Sequence, residues 1–333
     1  MSTVRGRFGT RAIRNVLVVA AALGPLPYTI SLEDLMFGIK ASVAAALCST
    51  VIGAGAAGYD GDAWENWDPI ASAEQQVEAD LIDGTKKIDV AGRSVNVSCA
   101  GDAADGKPVI VLMHGGGDTL DKMAALQKTL SEKNRVCSYD RLGAGGSDQP
   151  QGPQDFDSTG KILTGVLERI AGDRPVVLAG HSLGGLIAAR YAPGHQDRVK
   201  GLVLMDATPS TMAGDIAKVI PGSAKGPAAG VRAQNLAVFK GQNPEKLVIP
   251  DGKVRSAGDI PVEVITHGQP YLEAVPAYGP RLEKAWAAGQ RKWLAISSNS
   301  TLSTATRSGH YIYTDQPDIA VKAIQRVTTQ ACA

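Results

Sequence analysis

Residues 175–185 read PVVLAGHSLGG, an apolar run that leads directly into Gly180-His181-Ser182-Leu183-Gly184 and one further glycine. A β-strand that stops at a Gly-x-Ser-x-Gly pattern and turns at once into a helix holds its central residue in a strained conformation. Glycine is needed at the two outer positions because a side chain there would clash with the neighbouring strand or helix. The pattern predicts that the Ser182 hydroxyl is exposed above a β-sheet, beside a helix N-terminus that stabilises negative charge. Because such a pentapeptide also arises by chance, the rest of the chain has to support this interpretation.

The overall composition is that of a globular protein. At 333 residues with 44% hydrophobic residues, the chain can bury a full core. The formal net charge of +1 gives no electrostatic reason to expect a nucleic acid or a strongly charged substrate. The sequence makes no prediction about the oligomeric state.

The N-terminal residues 1–58 have the pattern of a targeting region. Four arginines precede an apolar run at 15–27, and a second apolar run at 41–58 follows Met36 and ends in small residues. This order predicts a signal peptide whose functional start is near Met36, with cleavage around 54–58 and no stable membrane insertion afterwards. The alternatives are a buried alanine-rich helix and an N-terminal membrane anchor. We therefore expect an exported protein, secreted or held in the periplasm or cell envelope.

After a polar stretch at 59–84, expected to be a linker or an N-terminal extension, residues 85–333 alternate strand-like and helix-like segments. This alternation predicts an α/β fold with a largely parallel sheet, after an antiparallel start at the Gly92 turn. The predicted strands are 86–91, 93–99, 108–114, 135–140, 175–180, 201–206, 261–266 and 303–308. The predicted helices are 119–133, 158–172, 182–193, 283–297 and 317–330. Residues 207–259 interrupt the alternation and predict a functional cap, the alternative being a surface loop.

A glycine-rich turn precedes the serine motif along the chain. The strand at 108–114 ends in His114-Gly115-Gly116-Gly117, whose backbone N–H groups are free of side-chain cover. Backbone donors of this kind stabilise the negative oxygen that develops when a hydroxyl attacks a carbonyl. We expect the N–H groups of Gly116 and Leu183 to form this oxyanion hole, with Gly115 as the neighbouring possibility. The alternative is a tight turn that binds no ligand.

A serine nucleophile also needs a base, and His310 is the best-placed histidine. It lies in Ser308-Gly309-His310-Tyr311, after the last predicted strand and before the last predicted helix. The remaining histidines are less suitable. His114 and His181 belong to the two turns, His195 follows a helix end, and His267 ends a strand where it would line the pocket. We therefore expect His310 to be the general base.

The acid that orients the base is less clearly marked. Asp206 ends the predicted strand at 201–206, where an ionised carboxylate would accept a hydrogen bond from the imidazole Nδ1–H. The alternative acid is Glu273, the first carboxylate after the strand at 261–266. Asp206 is favoured because a carboxylate at a strand end is well placed to reach the imidazole of the base. A role as a helix cap or as part of the pocket wall would also explain an aspartate at this position.

Together these segments resemble the α/β-hydrolase fold superfamily, over residues 85–330, and most of all its exported bacterial serine hydrolases and esterases. The segments are PVIVLMHGGG (108–117), YDRLGAGGSD (139–148), AGHSLGG (179–185), GLVLMDATP (201–209) and SGHYIYTDQPD (308–318). The resemblance implies an eight-stranded, mostly parallel sheet flanked by helices, a cap after the sixth strand and a Ser182–His310–Asp206 triad. One departure is that the carboxylate usual after the seventh strand is absent, which leaves the acid open between Asp206 and Glu273.

Exported relatives of this kind carry a disulfide between two early strands, and Cys99 and Cys137 lie in such strands here. The resemblance therefore implies a Cys99–Cys137 disulfide, which would also fit an exported protein. The alternative is a pair of buried free thiols, since cysteine often packs as a small apolar residue. Cys332 is left without a partner.

The sequence thus predicts an exported serine esterase or lipase-like hydrolase that acts on a small-molecule ester. No cofactor is expected, and the cysteines and histidines lack the spacing of a metal site. Two alternatives stay open. One is hydrolysis of amide, peptide or carbon–carbon bonds by the same triad, and the other is a binding protein that keeps the fold without catalysis.

Overall fold

The structure, a computed structural model, describes residues 82–104 and 106–332. The predicted targeting region 1–58 lies outside these residues, as does the predicted extension 59–84 except for its last three positions. Among the described residues, no helix has the length and apolar character needed to cross a membrane.

Eight strands form one sheet in the order β1-β2-β4-β3-β5-β6-β7-β8. Their bounds are β1 Gly84–Val90, β2 Arg93–Ala100, β3 Val109–Met113, β4 Val136–Tyr139, β5 Val176–His181, β6 Val199–Met205, β7 Val262–His267 and β8 Ser300–Ala305. β2 is antiparallel to both β1 and β4, and all the other pairs are parallel. This confirms the predicted α/β fold with an eight-stranded, mostly parallel sheet.

Helices cover both faces of the sheet, which is why the central strands are mostly apolar and β3 is apolar at every position. The α-helices are α1 Ala124–Ser131, α2 Phe156–Ala171, α3 Leu183–Tyr191, α4 Met212–Val219, α5 Gly226–Phe239, α6 Gly279–Lys292, α7 Ile312–Asp315 and α8 Pro317–Gln330. In β3, Ile110 and Leu112 pack in the core beneath α1 and α8. Val111 and Met113 pack in the opposite core, beneath α2 and α3.

Two predicted elements are displaced along the chain by three residues or more. The last strand begins and ends three residues earlier than predicted, because Ser300–Ala305 pairs along its whole length with β7. Beyond it the chain turns back, and the Ser308 carbonyl accepts hydrogen bonds from the N–H groups of Gly268 and Gln269. The helix predicted at 283–297 begins at Gly279 and ends at Lys292, followed by a single 3-10 turn at Trp293–Ile296.

The insertion between β6 and β7, residues 207–259, is predicted to be a cap and is called the cap below. It contains α4 and α5, which were not predicted from the sequence. A buried ion pair joins it to the loop after β4. Arg141 Nε lies 2.7 Å from Glu245 Oε2, and Arg141 Nη2 lies 2.8 Å from Glu245 Oε1. Such a two-pronged pair fixes orientation as well as distance. The cap is therefore held against the sheet edge where β4 ends.

The predicted disulfide between Cys99 and Cys137 is confirmed. The two residues face each other across the antiparallel β2–β4 pair, and their sulfur atoms are bonded. Cys332 is a free, exposed cysteine. The disulfide closes a 38-residue separation in the chain, which limits the conformations open to the unfolded state.

We expect the double variant Cys99→Ala/Cys137→Ala to unfold at a clearly lower urea concentration than the parent. For a loop of this length the loss of unfolding free energy is about 3–4 kcal/mol. Reduction of the parent protein should lower its midpoint to a similar value, whereas Cys332→Ser should leave it unchanged. Equal midpoints for the parent and the double variant would show that the disulfide adds no stability.

Candidate active site

Ser182 lies at the turn between β5 and α3 and has a strained backbone. Its φ of 49° and ψ of −118° fall in a region that non-glycine residues rarely adopt. The Ser182 N–H donates to the carbonyl of Met205 at the end of β6, and the Ser182 carbonyl accepts from Thr208. These two bonds to the neighbouring strand end hold the strained turn in place.

The glycines on either side of Ser182 are required by close backbone contacts. A Cβ at Gly180 would lie 2.5 Å from the nitrogen of Gly185, and a Cβ at Gly184 would lie 2.3 Å from the carbonyl oxygen of Met113. Such distances are far below van der Waals contact, and the second one is to the neighbouring strand β3. The structure therefore has the tight strand-to-helix turn that the sequence pattern predicts.

Ser182, Gly116 and Leu183 line one pocket beneath the cap. The other residues around it are mainly apolar: Thr208, Met212, Asn235, Val238, Phe239, Ile249 and Trp286. Three of these belong to α5, so the cap forms the wall opposite the serine. A second pocket shares Gly116 and Leu183 and extends toward the loop after β4. The predicted serine and both predicted oxyanion donors therefore lie together in one cavity.

Arg141 fixes the direction of the peptide groups in the glycine-rich turn. Its guanidinium donates to the carbonyls of His114 at 2.7 Å and Gly115 at 2.9 Å. Because a trans peptide is planar, its N–H points opposite to its carbonyl, so the Gly116 N–H points away from Arg141. Leu183 is the first residue of α3, and its N–H has no partner inside the helix. Both N–H groups are thus available to a group in the pocket.

His310 is hydrogen-bonded to Asp206, which lies at the end of β6. The Nδ1–H of His310 donates to Oδ2 of Asp206 at 2.7 Å, and the Asp206 side chain is fully buried. The loop that carries His310 is anchored from the serine turn, because His181 Nε2 lies 2.9 Å from the His310 carbonyl oxygen. The structure therefore brings two predicted residues, His310 and Asp206, into direct contact.

Ser182 and His310 are not hydrogen-bonded to each other in the described part of the chain. The Ser182 Oγ instead lies 3.3 Å from the hydroxyl of Thr208. Hydrogen bonds between catalytic groups are often long without substrate and shorten when it binds. Thr208 is thus the hydrogen-bond partner of the Ser182 hydroxyl in this structure.

Glu273, the alternative acid, is exposed in a 3-10 turn at Tyr271–Ala274 and makes no contact with His310. The side chain that reaches His310 from this turn is Tyr271, whose hydroxyl lies 3.3 Å from Nδ1. At the end of the seventh strand a tyrosine therefore contacts the histidine in place of a carboxylate.

Asp206 has two partners that the sequence analysis did not assign to it. His267 Nδ1 lies 2.9 Å from Asp206 Oδ1, and Trp286 Nε1 donates to the same oxygen at 2.9 Å. The second ring nitrogen of His267 lies 2.8 Å from Oε2 of Glu283. One signal was present in the sequence: His267 ends β7, which is adjacent to β6, and parallel strands end at the same edge of a sheet. The reach of Glu283 and Trp286 from α6 had no such signal.

Burial and hydrogen bonding act in opposite directions on these groups. Burial alone would raise the pKa of Asp206, but the hydrogen bonds from His267 and His310 outweigh it and hold the pKa below its usual value. Burial likewise opposes charge on His267, but its bonds to Asp206 and Glu283 raise its pKa to about 9. Burial is also the main reason that the pKa of His181 is well below its usual value. At neutral pH, Asp206 is an anion and His267 is a cation.

Most residues of this site lie in the part of the chain that matches a known protein family. Residues 108–304, more than half of the chain, match the family model described as the alpha/beta hydrolase fold. Human (lyso)-N-acylphosphatidylethanolamine lipase is 32% identical over 100 residues, which are 29% of this chain and 29% of that protein. The matched part thus spans less than a third of that relative.

Solved structures show the same fold over a larger part of the chain. A serine hydrolase involved in carbazole degradation has a TM-score of 0.54 and 17% identity, over 74% of this chain and 98% of that one. The enol-lactonase of Burkholderia xenovorans has a TM-score of 0.52 and 18% identity, over 73% and 100%. At these identities the likeness shows the fold alone.

We expect Gly184→Ala to destabilise the protein by about 1–3 kcal/mol or more, because the added methyl would overlap the Met113 carbonyl. Gly160→Ala is the matched control. A Cβ at Gly160 in α2 would meet only the Tyr191 ring, at an ordinary 3.6 Å. Alanine in a helix should then raise stability by about 0.5–1 kcal/mol. Denaturant unfolding measures both changes, and a Gly184→Ala protein as stable as the parent would refute the close contact at the turn.

Proposed function

The chain belongs to the α/β-hydrolase fold family, and we propose that it is a serine hydrolase that cleaves small-molecule carboxylic esters through an acyl-enzyme intermediate. The observation that carries this proposal is the strained Ser182 at the wall of an apolar pocket, together with the hydrogen-bonded Asp206–His310 pair, which packs against Trp286 of the same pocket. A strained turn that exposes a hydroxyl is the usual setting of a nucleophile in this fold.

In the first step His310 is the general base and Ser182 is the nucleophile. Nε2 of His310 accepts the hydroxyl proton as Oγ bonds to the ester carbonyl carbon, and the π electrons of the carbonyl move to its oxygen. The N–H groups of Gly116 and Leu183 stabilise that oxyanion. Asp206 stabilises the positive charge that His310 gains, through the 2.7 Å hydrogen bond to Nδ1.

The intermediate then collapses. The carbonyl re-forms, the bond to the alcohol oxygen breaks, and His310 returns its proton to the departing alcohol. Water next attacks the acyl group on Ser182 while His310 accepts a proton from it. Collapse of this second oxyanion releases the carboxylic acid, and the proton goes back to Ser182 Oγ.

The two adjoining pockets suggest how an ester would lie. They adjoin each other and share Gly116, Leu183, Val238 and Ile249. The pocket beside Ser182 is mainly apolar and would hold an uncharged acyl group. The second pocket contains Asp118, Thr119 and Asn243 and would hold a more polar alcohol part.

We also propose that the protein acts after export. The Cys99–Cys137 disulfide supports this proposal, because disulfides persist in oxidising compartments. The signal-peptide pattern at 1–58 supports it independently.

The test of the proposed activity is Ser182→Ala, assayed with p-nitrophenyl butyrate and with a fluorophosphonate probe. We expect kcat to fall at least about 1,000-fold and probe labelling to vanish, because the nucleophile is removed. Circular dichroism should show an unchanged fold, and Ser298→Ala, which alters an exposed serine, should behave like the parent.

Two results would contradict the proposal. Turnover that persists in Ser182→Ala would exclude this residue as the nucleophile. A parent protein that neither hydrolyses esters nor reacts with the probe would indicate a binding protein of this fold.

A further inference from the structure

The Asp206 carboxylate is shared between two imidazole rings. Its Oδ2 accepts from His310, and its Oδ1 accepts from His267 and from the indole N–H of Trp286. The carboxylate is fully buried, so protein donors have to replace its hydration. The His267 ring also lies 3.0 Å from Oδ2, and the His267 backbone N–H donates to Oδ1 at 3.3 Å. These donors together hold the carboxylate in place beside His310.

His267 lies between two carboxylates. Nδ1 faces Asp206, and Nε2 lies 2.8 Å from Glu283 Oε2. An ionised carboxylate only accepts hydrogen bonds, so both ring nitrogens must carry protons, and the ring is an imidazolium. Both Glu283 oxygens have donors, since Oε1 accepts from the N–H of Leu272. A charge-assisted chain therefore runs from Glu283 through His267 to Asp206.

The charges of this chain matter for the proposed reaction. Asp206 and His267 alone would form a neutral pair, which attracts a further cation weakly. With Glu283, the three groups carry one negative charge in excess, which the positive charge gained by His310 would neutralise. Because the groups are buried, this attraction is stronger than it would be in water. The negative charge of Glu283 thus compensates for the positive charge of His267, so the three groups together remain negative beside His310.

The elements that hold these groups are rigid. His267 ends β7, and both Glu283 and Trp286 lie on α6, three residues apart and hence on one helix face. Among residues 82–104 and 106–332, the only other titratable side chain in ring contact with His267 is Tyr271, which packs edge-on with ring centroids 4.8 Å apart. Neither His267 nor Glu283 lines the pocket beside Ser182. Their effect on a substrate would therefore pass through Asp206.

We propose that His267 and Glu283 are positioning residues that hold the ionised Asp206 carboxylate against His310 and maintain the negative charge that stabilises the His310 cation. This inference rests on the proposed serine hydrolase function. It assigns a role in that reaction to a second histidine and a second carboxylate outside the triad.

The main test is the kinetics of Glu283→Gln, which keeps the size of the side chain and an acceptor for Leu272 but removes the charge. We expect kcat for p-nitrophenyl butyrate to fall roughly 10- to 100-fold, as when an outer partner of an active-site group is lost. KM should stay within about twofold, because the pocket is unchanged. His267→Gln should show a loss of similar size. Lys284→Gln, an exposed change on the same helix, should leave both constants unaltered.

The pH profile separates positioning from a general loss of structure. The cation form of His267 is present below pH 9 and is lost as the pH rises through about 9. A neutral ring has one N–H for two carboxylates, so a lone pair then faces an anionic oxygen and the chain to Asp206 is broken. We expect kcat of the parent to fall above this pH. This decrease of kcat should occur at lower pH in Glu283→Gln and should be absent in His267→Gln.

An NMR titration of His267, assigned by its absence from His267→Gln, tests the charge state without any substrate. It should give a pKa of about 9 in the parent and a lower one in Glu283→Gln. Unchanged kcat and pH profiles in both variants, while Ser182→Ala is inactive, would overturn this inference and leave the proposed function intact. A parent that is inactive toward both ester and fluorophosphonate would overturn the proposed function, and the inference with it.

Discussion

A fully buried carboxylate needs hydrogen-bond donors on each oxygen, and the arrangement of this site follows from that requirement at Asp206. Its donors come from three separate parts of the chain. His310 follows the last strand, His267 ends β7, and Trp286 lies on α6. Loss of a donor would weaken the hydrogen bonding of this buried anion. The carboxylate is thereby the point that fixes the loops at this end of the sheet relative to one another.

The parallel sheet makes such a meeting possible. β3, β5, β6 and β7 are neighbours and run in the same direction, so their carboxyl ends lie along one edge. The turn with Gly116, the strained Ser182, Asp206 and His267 all follow these ends. Arg141 adds a second link, because it holds the carbonyls of the glycine-rich turn and is itself paired with Glu245 of the cap. The cap and the oxyanion turn are thus connected through one buried guanidinium.

Much of this arrangement could be predicted from the sequence, because local patterns determine it. The spacing of Gly180, Ser182 and Gly184 reflects the lack of room for a Cβ at either glycine, so it could be recognised without a structure. The disulfide followed from the resemblance of two strands to those of exported relatives. Chain order narrowed the acid to Asp206 or Glu273, and the position of Asp206 at a strand end favoured it, but contact with His310 depends on whether a side chain points inward. Glu273 is exposed, and Asp206 is buried against His310.

What could not be predicted depends on contacts between distant elements. The contact of Glu283 with His267 requires the direction of a helix face, which the sequence pattern of α6 does not reveal. The helices of the cap were missed because α5 begins with Gly226 and Pro227 and carries few buried side chains, so its pattern is weak. The residues that no local sequence pattern predicted are therefore those that form the pocket walls and the surroundings of Asp206.

The proposed reaction depends most on Asp206 as the carboxylate that orients and stabilises His310. The direct measurement compares kcat for p-nitrophenyl butyrate in Asp206→Asn and in Glu273→Gln, with folding checked by circular dichroism. We expect kcat to fall about 1,000- to 10,000-fold in Asp206→Asn, because an amide in place of the carboxylate cannot hold or stabilise the His310 cation. Glu273→Gln should retain the activity of the parent. A large decrease of kcat only in Glu273→Gln would contradict the role of Asp206 and would assign the acid to the turn after β7.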